Sequence, residues 1–321
     1  MPLKWGHRKA LSRRSVLKGV SALVGGTAGM SGYAAAEHQT LKTTRYRIAP
    51  KGWPKGLVLR LAVLADLHVC EPWMGIGRVG NIVRQTNRLG ADAILLLGDY
   101  QEGAGIRRFS RRVPDAEWAA VLGRLEAPLG VHAVLGNHDW WDDERAMHLR
   151  RGPTRTRLLL EEHGIPVYEN DAVRLIKDDQ PFWLAGLGDQ WAFMRWHRTL
   201  RASAFTHADG IADLPGTLAR IDDDAPVIMM AHEPDIFARM PARVALTISG
   251  HTHGGQVRPF GLMPVVPSAF GSRYAYGHIV EDDRHLVVSG GLGFSGLPLR
   301  FGVPPEIVVV EVGDWSPAAL S

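Results

Sequence analysis

The sequence predicts an α/β layered domain, and three observations carry that prediction. Short runs rich in β-branched residues recur along the chain, helix-length amphipathic stretches separate the early ones, and 45% hydrophobic against 22% charged residues supply a sizeable core. In 321 residues this composition excludes a disordered tail, a collagen-like fibre and a multi-span membrane protein.

The first apolar run is Leu57–Ala65, continuous apart from one arginine, followed by an amphipathic stretch over Arg78–Leu89. Ala93–Leu97 is the second strand and Asp115–Leu125 the helix after it. Val131–Leu135 follows, with a third helix over Thr154–His163. Val227–Met230, Val244–Ile248 and Ile307–Val310 complete the set. None of these runs alternates polar with apolar residues, which suits strands buried on both faces. After Pro226 the strands come closer together, with more Gly and Pro, as in hairpins. No repeat, low-complexity linker or second domain is visible, so residues 37–321 read as a single domain.

Charge is unevenly spread. The formal net charge is +4, but six of the 37 Lys and Arg residues lie within residues 1–36, which hold no acid. The remainder carries 31 basic against 33 acidic residues, a poor polyanion trap, so no nucleic-acid partner is expected. Those first 36 residues have a basic start, a weakly apolar stretch from Gly19 to Tyr33, and a closing Ala34-Ala35-Ala36. The run Ser12-Arg13-Arg14-Ser15-Val16-Leu17-Lys18 resembles the twin-arginine export signal, departing from its usual Phe at Val16. Cleavage after Ala36 and export by the twin-arginine machinery to the periplasm or the outer face of the cytoplasmic membrane are the expectation. An uncleaved anchor is the rival reading, but a spanning helix wants roughly 20 strongly apolar residues. Cys70 is the only cysteine, so no intrachain disulfide forms.

Metal-ligand residue types close one strand after another. Asp66-Leu67-His68 follows the first, Gly98-Asp99-Tyr100 the second and Gly136-Asn137-His138-Asp139 the third. Ala231-His232-Glu233 and Gly250-His251-Thr252-His253-Gly254-Gly255 follow the two later ones. Each alone is ordinary: Asp-x-His is common, Gly-Asp marks a turn, and paired loop histidines are often solvated. Five together at the carboxyl ends of strands, where α/β sites assemble, are not.

In that order these five motifs resemble the calcineurin-like metallophosphoesterase superfamily, from about Leu57 to Val310. The leader, Glu71-Pro72-Trp73-Met74 and the closing Arg300-Phe301-Gly302-Val303-Pro304-Pro305-Glu306-Ile307 are similar to a bacterial exported phosphodiesterase branch related to UDP-2,3-diacylglucosamine pyrophosphatases. The resemblance implies a four-layer α/β/β/α sandwich with mixed sheets. It also implies two divalent ions, one held by Asp66, His68 and His253, the other by Asn137, His232 and His251, with Asp99 bridging both. Such a pair generates a bridging hydroxide and clamps phosphate oxygens through in-line displacement. The resemblance makes His138 the acid or stabiliser at the leaving oxygen, with Asp139 fixing its tautomer. Purple acid phosphatases have a Tyr where this chain has Glu102, so an iron–tyrosinate site is not expected; manganese comes first, then iron or zinc. Cys70 reads as a small buried or near-site residue.

Aromatic and apolar residues gather near the motifs: Trp73 and Met74, Trp140 and Trp141, then Trp191, Phe193 and Trp196. Most such residues are core. An apolar rim admitting an acyl chain or touching a membrane is the sharper reading, and the Pro-rich Pro259–Pro267 stretch adds to it. Arg258, Arg273 and Arg300 are candidates for phosphate oxygens. The leading function is a phosphodiesterase or pyrophosphatase acting on an envelope phosphate that carries a lipid. A phosphomonoesterase for small esters is the alternative, a nuclease stands third, and a metal-stabilised envelope-binding module is the non-enzymatic reading.

Overall fold

The computed structural model describes residues 37–103, 107–108, 110–194 and 210–315. The leader over residues 1–36 and Trp196 therefore lie outside the described residues. In chain order the first half holds β1 (Lys42–Ile48), β2 (Leu59–Leu64), β3 (Cys70–Glu71), α1 (Ile76–Asn87), β4 (Ala93–Leu96), β5 (Arg111–Arg112), α2 (Asp115–Leu122) and β6 (Val131–Ala133). Then come α3 (Asn137–Trp141), α4 (Glu144–Leu149), α5 (Arg155–Glu162), β7 (Asp171–Lys177), β8 (Gln180–Gly186) and α6 (Leu214–Leu218). The last strands are β9 (Val227–Met230), β10 (Val244–Ser249), β11 (Gly277–Glu281), β12 (Arg284–Val288) and β13 (Glu306–Val312).

Two mixed sheets face each other. One has the order β1-β13-β2-β4-β6, the other β11-β12-β10-β9-β8-β7, and β3 pairs with β5 in a small ribbon. Alternation within β2 explains the layering. Leu59, Leu61 and Val63 join Leu95, Val308 and Val310 against Ile228, Met230, Leu246 and Ile248 of the opposing sheet, whereas Ala62 and Leu64 turn to the helices. There α1 contributes Val79, Ile82, Val83 and Thr86, one helix stripe at spacings of three and four residues. On the far side, Val227 and Met229 of β9 pack under Ile236 and Phe237 of a 3₁₀ turn, Pro234–Arg239. Helix, sheet, sheet, helix is the four-layer sandwich expected from the motifs. Fully burying each such aliphatic side chain contributes about 1.5–3 kcal/mol, so the double-faced strands dominate the core energy.

The strand runs read from sequence lie where they were expected, with one correction. β9 and β10 are not a hairpin: they run parallel, as do β8 and β9, with the turn Pro234–Arg239 crossing between β9 and β10. Only β11–β12 in that region is antiparallel and directly connected. The arginine interrupting the first run, Arg60, reaches the buried Glu311 of β13 at 3.3 Å, so a charge is carried within a central strand only by pairing. β2, β4 and β6 run parallel to one another, and so do β9 and β10. Their carboxyl ends therefore empty onto one edge of the sandwich, and the five motifs start there. No helix among the described residues is long and apolar enough to cross a membrane.

Candidate metal centre

At that edge the strand ends deliver seven side chains to one buried spot. Asp66, His68 and His253 bring one ligand atom each within 4.8 Å of one another, and so do Asp99, His232 and His251. All six are buried, as is Asn137. The clusters meet at Asp99, whose Oδ2 lies 3.5 Å from His68 Nε2 and 3.3 Å from His232 Nε2.

The turns that aim these groups are costly for side-chain-bearing residues. Asp66, His68, Asp99, His251 and His253 all have positive φ, between 45° and 69°. Left-handed backbone costs roughly 1–2 kcal/mol per non-glycine residue, so surrounding contacts must hold each of them. The main-chain N–H of His251 donates to both Asp66 oxygens at 3.0 Å, and that of His138 donates to Asp99 Oδ1 at 2.9 Å. Glycine is needed where backbone and ligands meet. A Cβ on Gly136 would lie 2.4 Å from Asp99 Oδ1 and 2.6 Å from His232 Cε1.

The donor set fits divalent cations. His68 Nε2 and His253 Nε2 lie 3.2 Å apart, and His251 Nδ1 and His232 Nε2 3.3 Å apart, so ring nitrogens converge in pairs where a cation would satisfy both. Asn137 Oδ1 is buried with no hydrogen-bond partner among the described residues. His68 and His232 turn their outer Nδ1 to the main-chain oxygens of Gln101 at 3.0 Å and Leu97 at 2.6 Å, the arrangement that fixes a ligating tautomer. Burial holds His68 down to about 4, and burial with neighbouring histidines holds His251 and His253 well below the usual range, so these rings are neutral and able to ligate. Burial pushes Asp66 up to about 7. Burial acts on Asp99 in the same direction, but His232, His138 and His68 overcome it and keep that carboxylate ionised.

His138 stands beside the clusters. Its ring packs edge-on against His68 and also against Trp141, each at 5.1 Å between centroids. Asp139 does not fix the tautomer of His138, contrary to the sequence-based expectation. Its carboxylate accepts from the main-chain N–H groups of Asp99 at 2.8 Å, Gly136 at 2.9 Å and Tyr100 at 3.1 Å. His138 Nδ1 is buried with no partner among the described residues. Three inward N–H groups from two adjacent loops claim the carboxylate, which therefore locks the loops after β4 and β6 together.

Two of the three arginine candidates are corrected. Arg300 is fully buried and spends its guanidinium on the main-chain oxygens of Gly290, Gly293 and Val303. Arg273 forms a two-bond pair with Glu281 at 2.8 and 2.9 Å. Arg258 is half-buried over the Tyr276 ring. The aromatic rim is also redistributed. Met74, Trp140, Trp191 and Phe193 are buried, with the Trp191 ring 4.4 Å from His251, while Phe260, Leu262, Val265 and Leu297 are among the exposed apolar residues. Cys70 is a buried core thiol, pushed up to about 11 by desolvation. Sequence reasoning missed Gly103, where a Cβ would meet His138 Cε1 at 2.8 Å, because no motif marks it.

Facing mixed sheets with two adjoining ligand clusters at their strand ends, sharing one carboxylate, define the class of dinuclear metallohydrolases. Residues 59–255 match the calcineurin-like phosphoesterase family, and the chain belongs to that family. It is 29% identical to the metallophosphoesterase YkuE of Bacillus subtilis over 310 residues, covering 94% of this chain and 97% of that one. It is 26% identical to the phosphodiesterase YaeI of Escherichia coli over 307 residues, covering 94% and 99%. A transmembrane protein with a metallophosphoesterase domain from Bos taurus is 27% identical over 259 residues, 78% of this chain but 52% of that protein. A solved dimetal phosphatase from Danio rerio aligns with 73% of this chain and 88% of its own at 15% identity and a TM-score of 0.43. Family and site together make the chain a metal-dependent phosphoester hydrolase.

Proposed function

We propose that the chain is an exported phosphodiesterase that holds two divalent ions and acts on an envelope phosphate carrying a lipid. The observation that carries the two-ion reading is Asp99, placed within 3.5 Å of a histidine from each cluster. One ion would be held by Asp66, His68 and His253, the other by Asn137, His232 and His251, with Asp99 serving both. Two carboxylates, one amide oxygen and four imidazoles form a mixed hard and borderline set, for which manganese is the first choice and iron or zinc follow. The ions would supply Lewis acidity and an activated water for in-line displacement at phosphorus. His138, whose ring packs against His68 and whose Nδ1 has no hydrogen-bond partner among the described residues, would protonate the leaving oxygen.

Diester preference is supported by the likeness to YaeI over nearly the full chain. Lipid character is supported by the segment that carries His251 and His253. It continues into a loop on which Phe260 is 95% exposed, Leu262 69% and Val265 68%. Gln256 ties that loop to the one bearing Leu297 through the main-chain oxygens of Ser295 and Leu297, both at 3.1 Å. Apolar tips beside a phosphate site suit an acyl chain or a bilayer surface. The resemblance of Ser12–Lys18 to a twin-arginine export signal supports a periplasmic location.

The test uses the full chain loaded with manganese, given a chromogenic phosphodiester and its monoester, with Asn137→Ala as the blank. Diester turnover that disappears in the variant is expected; preference for the monoester would replace this reading with small-ester scavenging. Anionic phospholipid vesicles should bind the wild type and lose the Phe260→Ser/Leu262→Ser double variant. Equal binding by both would remove the lipid part alone.

A further inference from the structure

His138 lies in a motif, yet nothing in the motif holds its ring. Asp139 is spent on main-chain N–H groups, and His138 Nδ1 is buried with no partner among the described residues. A ring without that bond is oriented by what it packs against. Among the described residues it meets His68 and Trp141, each at 5.1 Å between centroids, and the main chain at Gly103, where a Cβ would come within 2.8 Å of Cε1. Of these, Trp141 alone is a broad side chain outside the ligand set. His138 and Trp141 are three residues apart on α3, a spacing that puts both rings on one side of the helix.

Trp141 is itself braced. A tryptophan ring is an apolar plate with one polar handle, and a bond to that handle fixes how the plate is turned. Nε1 of Trp141 donates to the main-chain oxygen of Trp191 at 3.0 Å. Trp191 is buried, and its own ring stands edge-on to His251 at 4.4 Å. The Trp191 N–H donates to Asp189 Oδ1 at 2.8 Å, and the Gln190 side chain donates to the main-chain oxygen of Glu233, next to His232, at 2.8 Å. The segment 189–191 follows β8 and belongs to none of the five motifs. It leans on the His232 and His251 cluster at one side and on Trp141 at the other.

We infer that Trp141, braced by the main chain of Trp191, is a positioning residue that sets where the His138 ring stands relative to the His232 and His251 cluster, and so aims it at the leaving oxygen. The proton passes from the His138 ring to the leaving oxygen as the P–O bond breaks; Trp141 gives up no proton and acts only through His138. Misplacing a reacting group by about 1 Å costs about 10² in rate, and a general acid contributes about 10² to 10⁴ in all. Losing the brace therefore removes much of what His138 supplies without removing a ligand. This inference rests on the reading of His138 as the acid given above.

The test gives the manganese-loaded full chain two diesters: bis(4-nitrophenyl) phosphate, whose nitrophenolate leaves without a proton, and diphenyl phosphate, whose phenolate needs one. His138→Ala is the reference and should lose far more turnover on diphenyl phosphate. Trp141→Phe keeps a ring but deletes the Nε1 donor, and Trp141→Ala deletes both. Each should repeat the reference pattern, with kcat on diphenyl phosphate down about 10-fold for Phe and about 10²-fold for Ala. The nitrophenyl ester, KM and bound manganese should change little. Equal losses on the two esters would make Trp141 a structural support alone and overturn the inference, as would loss of manganese or no loss on either ester. If Trp141→Ala does not fold, Trp141→Phe decides. A wild type inert toward both esters, or a His138→Ala variant that treats them alike, would remove the acid reading and this inference with it.

Discussion

Asp139→Asn separates the role found for this residue from the one its position in the motif suggested. The carboxylate receives three main-chain N–H bonds, from Asp99 and Gly136 on Oδ2 and from Tyr100 on Oδ1, at 2.8, 2.9 and 3.1 Å. The amide keeps one acceptor, which can hold the Oδ2 pair, and sets a donor against the Tyr100 N–H. One charge-assisted bond is lost and one buried donor is left facing another, together about 2–4 kcal/mol. Burial and the neighbouring Asp99 push the Asp139 carboxyl up to about 8, so the comparison belongs at pH 9, where carboxylate is set against amide. Urea unfolding of both metal-free proteins should show an earlier midpoint at unchanged slope. The pH profile of activity should keep its shape, because no bond joins Asp139 to the His138 side chain. Unchanged stability with a displaced pH profile would refute the reasoning and return Asp139 to the service of His138.

Gly136→Ala should fold yet lose about 10²-fold in turnover, since its Cβ would come within 2.4 Å of Asp99 Oδ1 and force a displacement near 1 Å at the site; steady-state kinetics beside a melting curve check this. Gly103→Ala should disturb His138 in the same way while sparing the ligands, so metal content should stay constant as turnover falls. Cys70, with its thiol pushed up to about 11, should resist alkylation at pH 8 in the native chain and react fully in urea, by mass measurement. Asp66 is raised from 3.8 to about 7 in the metal-free fold, so its contribution to stability is present below about pH 4 and is lost as pH rises through 7. Divalent ions favour the charged form. The rise in melting temperature on adding manganese should therefore grow between pH 4 and 7, and a flat increment would count against the assignment of Asp66.

The strands buried on both faces were legible because their runs carry no alternation to obscure them, and the ligands were legible because each closes such a run. Other strands were not. β1 reads Lys-Thr-Thr-Arg-Tyr-Arg-Ile and is mostly exposed, held by its parallel register with β13 rather than by any pattern of its own. The hairpins β7–β8 and β11–β12 turn on Asp178-Asp179 and Asp282-Asp283, all four with positive φ, so the glycine that usually advertises such turns is missing. α3 is five residues long and begins inside the Gly-Asn-His-Asp motif, too short for any periodicity. At the site, residue types and order announced the ligands, but what stands behind them was invisible. Arg300 looked like a loop arginine because nothing in its neighbours signals three main-chain oxygens converging on it. Asp139 was assigned to His138 by the family resemblance, and nothing in the sequence signals that three main-chain N–H groups claim its carboxylate.

The left-handed ligand residues bear on how this site can be dismantled for study. Asp66, His68, Asp99, His251 and His253 each keep their backbone bent through contacts that the side chain helps to make. Alanine at such a position removes the contact and retains the steric penalty, whereas glycine removes both. The usual hierarchy of substitutions is inverted here: the glycine variant is the gentler deletion, and the alanine variant confounds loss of an ion with relaxation of a loop.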